Sequence, residues 1–192
     1  MNVGGAFGKF ARSIRADFEA TEGQRAKYKK DHVRKKLAVL LVTDIGIQSM
    51  AAIRLMQLAG DLKIPFGSEV VSRLIRYLYN MEIHPGASID PGVTLIHGVG
   101  LTVDRNAHVS SDCIVAHNVT LGAVTDPETG ETRAPVLERN VHVGPGVQIL
   151  GAITIGENSK IMAGASVTES VPPYTLIKPP APICKNRTPR TP

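Results

Sequence analysis

From Ile83 to Val167 an aliphatic residue returns every six positions: Ile83, Ile89, Leu95 and Leu101, then Val103, Val109, Val115 and Leu121, and again Leu137, Val143, Ile149, Ile155, Ile161 and Val167. That period belongs neither to a helix, at 3.6 residues, nor to a strand with one wet face, at two. Four residues after most of these positions stands a second small or β-branched residue: Ala87, Val93, Val99, Ala107, Cys113, Val119, Val141, Val147, Ile153, Ser159, Ala165 and Val171. A unit this short cannot bury its apolar face alone, so successive units must stack and share one core. The expected form is a prism of short parallel strands, three hexads to a coil. Gly86, Gly92, Gly144, Gly146, Gly156 and Gly164 fall where tight corners need a permissive backbone. No Phe, Tyr or Trp lies between Tyr79 and Tyr174. A narrow aliphatic interior explains that gap better than a sandwich, whose strands usually enrich aromatics.

Two irregularities break the count. The frame slips by two residues between Leu101 and Val103, and sixteen residues instead of six separate Leu121 from Leu137. The second gap requires that roughly 123–135 leave the prism as a surface loop, the usual place for function on a repeat scaffold.

Ahead of Tyr79 the apolar spacing is helical, as in Leu37, Leu40, Leu41, Ile47, Met50 and Ile53, and later Val70, Val71, Leu74, Ile75 and Leu78. About three helices are expected between Arg12 and Tyr79, with breaks at Glu22-Gly23 and across Gly60 to Gly67, and with Ser68 as the cap of the last. Three segments follow: a helical domain over 1–80, the prism over 81–173 with its loop, and a tail over 174–192.

Charge and cysteine content narrow the function classes. Residues 1–80 carry 14 Lys/Arg against 7 Asp/Glu, and 81–192 carry 8 against 10. The excess peaks in Arg25 to Lys36, which reads as a solvated helix face; with no binding motif beside it and only Tyr28 among its aromatics, nucleic acid is not an expected partner. Leu37 to Ala59 is interrupted by Asp44, Gly46, Gln48 and Arg54, so no membrane span is expected. Two cysteines, Cys113 and Cys184, make no disulfide framework, and the reading is a cytoplasmic protein.

The run Glu82-Ile83-His84-Pro85-Gly86-Ala87, then Leu95-Ile96-His97-Gly98, then Val119-Thr120-Leu121-Gly122, and finally Ser170-Val171-Pro172-Pro173 resembles the serine O-acetyltransferases. The resemblance covers about 31–183. It implies a left-handed parallel β-helix behind the helical domain, acetyl-CoA as acyl donor, a small hydroxyl acceptor, a place in cysteine biosynthesis, and a homotrimer or dimer of trimers. It also implies a dyad of Glu82 and His97, fifteen residues apart and expected on neighbouring coils at one edge. The chemistry suits that pair: a hydroxyl is a weak nucleophile at neutral pH, an imidazole can take its proton during attack, and a carboxylate can fix the imidazole's tautomer. The resemblance places substrate contacts at Arg133, Asp31 and His84, and the coenzyme A groove at Gly122, Ala123, Pro145, Ala163 and Gly164, with Lys178, Lys185 and Arg187 for the phosphates. His108, His117 and His142 fall on outward positions and are expected in solvent. Zinc carbonic anhydrases share the architecture, but their closely spaced histidine pair is missing, Gly122 standing five residues beyond His117; no metal is expected.

The chain departs from the family pattern at several of these positions. Pro145 stands where an alanine N–H is usual, and Ala123 replaces a glycine. Arg133-Ala134-Pro135 replaces Arg-His-Pro, Ile96 an aspartate and Arg105 a glutamate, and Asp31 is followed by His32-Val33 rather than Pro-Ala. The acceptor side is therefore open between L-serine, a sugar or polysaccharide precursor, and a catalytically silent scaffold.

Overall fold

The aliphatic ladders of the sequence are the ladders of the structure. In a computed structural model that describes residues 2–28 and 35–181, Ile83 pairs in parallel with Val103, Val103 with Leu121, Leu121 with Ile149 and Ile149 with Val167. These belong to face A of a three-sided prism: β1 (Glu82–Ile83), β4 (Thr102–Val103), β7 (Thr120–Gly122), β12 (Gln148–Leu150) and β15 (Ser166–Val167). Face B stacks β2 (Ser88–Ile89), β5 (His108–Val109), β10 (Val136–Leu137) and β13 (Thr154–Ile155); face C stacks β3 (Thr94–Ile96), β6 (Ile114–Ala116), β11 (His142–Val143), β14 (Lys160–Ile161) and β16 (Leu176–Ile177). The aliphatic residues that return every six positions form one continuous buried core with Met50, Ile53, Met56 and Ile75 of the helices.

The corners explain the second half of the repeat. Ala107, Cys113, Val119, Val141, Val147 and Ser159 are fully buried just inside them. Just before the corners, the left-handed backbone is taken by Gly92, Gly146 and Gly164 and equally by Asn106, Asp112, Asn118, Asn140 and Asn158. Asn and Asp tolerate that region because their short polar side chains bond locally.

The frame slip sits elsewhere than the hexad count put it. Glu82 pairs with Thr102 but Thr102 with Thr120, so the first coil is two residues longer than a bare one. The extra residues lie in His97-Gly98-Val99-Gly100, where His97, Gly98 and Gly100 all have positive φ. As a result Val99 is 37% exposed instead of inward, and Leu101 fills the small corner site. At the far end the prism continues past Pro173 into the expected tail, because Tyr174 takes the left-handed corner conformation and Leu176–Ile177 pairs with Lys160–Ile161.

Among the described residues four helices precede the prism: α1 (Val3–Tyr28), α2 (Leu37–Thr43), α3 (Ile45–Asp61) and α4 (Gly67–Tyr79). The expected break at Glu22-Gly23 is absent; α1 runs through it, since an exposed helical glycine costs only about 1 kcal/mol. The interruption falls instead at Asp44, whose carboxylate accepts the Ile47 N–H at 2.9 Å and starts α3 at 101° to α2. No single helix among the described residues is long and apolar enough to cross a membrane. Ser68 does not cap α4; its hydroxyl donates to the Met56 carbonyl and ties α4 to α3, while Phe66 holds the cap position.

Gly46 and Arg54 are prominent among the contacts that dock the helices on the prism. Gly46 lies so close to face C that a Cβ there would stand 2.2 Å from the Leu95 carbonyl oxygen. Arg54, 2% exposed, bonds Asp17 at 2.8 and 3.0 Å and donates to the carbonyls of Ile89 and Asp90, while Asp17 accepts the Gly92 N–H. Removing either partner of such a buried pair would strand a charge at a cost of about 3–5 kcal/mol.

Candidate active site

The lengthened corner that carries His97 lies on the edge between faces C and A. Glu82 opens face A beside that edge: its N–H donates to the Leu101 carbonyl, and Gly100 N–H donates to the Asn80 carbonyl, so the corner rests on the start of the first coil. The two members of the expected dyad are therefore the beginning and the end of one coil rather than members of neighbouring coils. Glu82, 57% exposed, is paired with the Arg76 guanidinium of α4. His97 is exposed and makes no side-chain hydrogen bond among the described residues. Its left-handed φ of 67° is uncommon for a residue other than glycine, and such conformations gather at functional sites.

His97 borders a cleft of about 290 Å³ between the helices and face C, lined by Thr21, Gln24 and Arg25 of α1, by Asp44, Ile45 and Gly46, and by Thr94, Leu95, Ile96 and Ile114. The floor is unusual for an outer face. Most outward strand positions are polar, as at Thr102, His108, Thr120, Gln148 and Lys160, whereas here Ile96, Ile114 and Ala116 point out of the prism and the latter two are buried. The close fit at Gly46 brings Asp44 to the cleft wall, where the Arg25 guanidinium meets its carboxylate. Gln24 Oε1 is buried without a partner among the described residues.

Sequence reasoning missed His117. His97 and His117 directly follow the paired Ile96 and Ala116, their rings lie 6.0 Å apart, and the His117 Nδ1 is buried with no partner among the described residues. Its signal is the length of the first coil, which pairs Glu82 with Thr102 and Ile96 with Ala116 and so sets residue 117 beside residue 97 on the next coil. His108 and His142 are likewise half-buried rather than solvated: His108 meets Asp90 at 3.2 Å, and burial first, then Lys160 and Lys27, hold His142 below its ordinary 6.5.

The remaining expected residues divide between two edges. Pro145, Ala163 and Gly164 are exposed on the C/A edge below His97, stacked through bonds such as Gly164 N–H to the Pro145 carbonyl, and Lys178 is exposed just past β16 on the same side. His84, Gly122, Ala123 and Arg133 belong to the A/B side. There His84 Nδ1 accepts the Gly86 N–H at 2.8 Å, Gly122 is buried, and the Ala123 N–H already donates to Asp104. The extruded loop is a hairpin, β8 (Val124–Thr125) against β9 (Thr132–Arg133). Arg133 pairs within it to Glu131 at 2.6 Å, which holds the Glu131 carboxyl below its ordinary range. A larger recess of about 540 Å³ lies under this hairpin, lined by Asp126, Glu128, Glu131 and Arg133, away from the imidazoles. Asp31, Lys185 and Arg187 lie outside the described residues.

Residues 134–169 match the family described as bacterial transferase hexapeptide (six repeats). The chain is 31% identical over 177 residues to the serine acetyltransferase of Buchnera aphidicola, covering 92% of this chain and 67% of the relative. To the Helicobacter pylori serine acetyltransferase it is 36% identical over 139 residues, 72% of this chain and 80% of the relative. The chain belongs to the serine acetyltransferase family. Among solved structures, the Neisseria gonorrhoeae serine acetyltransferase in complex with serine superposes with a TM-score of 0.75 at 26% identity, over 89% of this chain and 68% of that one. The chain thus spans about two thirds of the length of the Buchnera and Neisseria members of the family.

Proposed function

We propose that this chain is an acetyl-CoA-dependent O-acetyltransferase that acylates the hydroxyl of L-serine or a related small molecule, with His97 as general base in a direct transfer. The observation that carries the reading is His97: an exposed imidazole, free of side-chain bonds among the described residues, beside a cleft in a chain of the serine acetyltransferase family. Bound acetyl-CoA would supply an acyl group activated as a thioester. His97 takes the proton of the acceptor hydroxyl as its oxygen attacks, and returns it to the departing sulfur, so that ester and free thiol leave and the imidazole is neutral again. Glu82 is assigned to orient the protonated imidazole, in competition with its present partner Arg76.

The small residues Pro145, Ala163 and Gly164 make a smooth edge that runs from His97 toward the exposed Lys178. That edge suits a thin pantetheine arm followed by phosphates, with Lys185 and Arg187 as further candidates. Gly122, Ala123, His84 and Arg133 stand on the other edge, so their share in a site with His97 requires a neighbouring copy. A homotrimer, or a dimer of trimers, that sets the A/B side of one chain against the C/A edge of the next is the assembly we infer.

Thiol release from acetyl-CoA, followed with L-serine and with neutral sugars as acceptors, tests the reading. Release that depends on L-serine supports it; release with sugars alone reassigns the acceptor class, and none with any hydroxyl compound refutes the enzymatic reading.

A further inference from the structure

Resting on that reading, we propose that Arg25 and Asp44 are the clamp that holds the charged ends of the amino-acid acceptor beside His97. A zwitterion leaving water needs a cation for its carboxylate and an anion for its ammonium, since an unpaired charge in such a site is costly. Arg133, the cation that the hairpin offers, can reach this cleft only from a neighbouring copy and is paired with Glu131 in its own hairpin. Among the described residues that line the His97 cleft, Arg25 and Asp44 are the charged pair, and the floor beneath them is Thr94, Ile96 and Ile114.

The pair is built to be opened. Its side chains are 25% and 22% exposed, so neither is sealed from a ligand. Asp44 is held from below, because one carboxylate oxygen accepts the Ile47 N–H at 2.9 Å while the other meets Arg25. Arg25 is anchored from behind by a longer contact of 3.5 Å to Glu22, and a guanidinium has five N–H donors in a fork that matches a carboxylate. An acceptor can therefore lay its carboxylate on Arg25 and its ammonium against Asp44, replacing one internal pair by two external ones. Gln24, the preceding residue on the same wall, has a buried Oε1 without a partner among the described residues, an acceptor suited to another ammonium N–H. With both ends held, the hydroxymethyl group is the part left to face the imidazole.

The test compares three acceptors: L-serine, serinol, which lacks the carboxylate, and 3-hydroxypropanoate, which lacks the ammonium. Arg25→Gln should raise the ratio of KM for L-serine to KM for serinol by about ten- to a hundredfold, the worth of one charge-assisted bond. Asp44→Asn keeps the helix cap and removes the charge; it should raise KM for L-serine and serinol by a similar factor relative to 3-hydroxypropanoate. KM for acetyl-CoA should stay put in both, which separates a clamp from general damage, and Arg25→Lys should recover part of the loss. If L-serine is acetylated but neither ratio moves beyond about twofold, the clamp is wrong and the acetyltransferase reading stands. If no hydroxyl compound releases thiol, both fall together.

Discussion

His97 is legible in the sequence as a candidate base, but its backbone is not, because nothing in the hexad count says that this residue must turn left-handed. The same blindness affects the corners: glycines announce them, while Asn106, Asn118, Asn140 and Asn158 do the same work under a polar disguise. Asparagine is accordingly the fair replacement for His97, since it accepts the φ of 67° and removes only the base. His97→Asn should lower kcat by about 10²- to 10⁴-fold, the usual worth of a positioned general base, with KM for acetyl-CoA unmoved. Retention of near-normal turnover in that variant would sink the mechanism. His142 allows a separate check on folding. Burial holds its pKa below the ordinary 6.5, so beneath that pH the unfolded chain takes up a proton that the folded chain refuses. Stability is fullest above pH 6.5 and should decline as pH falls through it; urea midpoints should show less of this decline in His142→Asn.

Among the elements, helices were easier to detect than to delimit. Gly23 looked like a break and is not one, because its face is open and the propensity cost is small; Asp44 looked like an interruption of an apolar stretch and is the start of α3. The hairpin was visible as an excess of residues, but its pairing of Arg133 with Glu131 was not, since two neighbouring opposite charges specify no geometry. The seat of α3 on β3 rests on Gly46, a residue whose importance only the packing reveals. A methyl there would meet the Leu95 carbonyl oxygen at 2.2 Å, and backbone gives way only by moving the helix. Gly46→Ala should cost about 2 kcal/mol or more by urea unfolding. It should also raise KM for L-serine, because Asp44 moves with the helix. Wild-type stability in this variant would mean that α3 is held by other contacts.

At the scale of the whole molecule, the two edges of the prism and the outer face of α4 point the same way. Val70, Leu74, Tyr77 and Leu78 of α4 are all at least half exposed, a stripe of apolar surface that a lone chain leaves in water. Light scattering should give a mass near a multiple of three times 20.5 kDa, and Leu74→Glu with Leu78→Glu should shift it toward single chains and lower activity with it. A wild-type mass of 20.5 kDa at micromolar concentration would refute the shared site. The aliphatic interior has one more consequence, for what light can report. With no Trp anywhere, Tyr77 and Tyr79 ahead of the coils and Tyr174 at a corner of the last one, tyrosine emission watches the two ends of the prism and is blind to its middle. If the helices detach before the coils unravel, emission and far-ultraviolet dichroism will follow different curves, and their separation will measure how independently the two halves of the chain hold together.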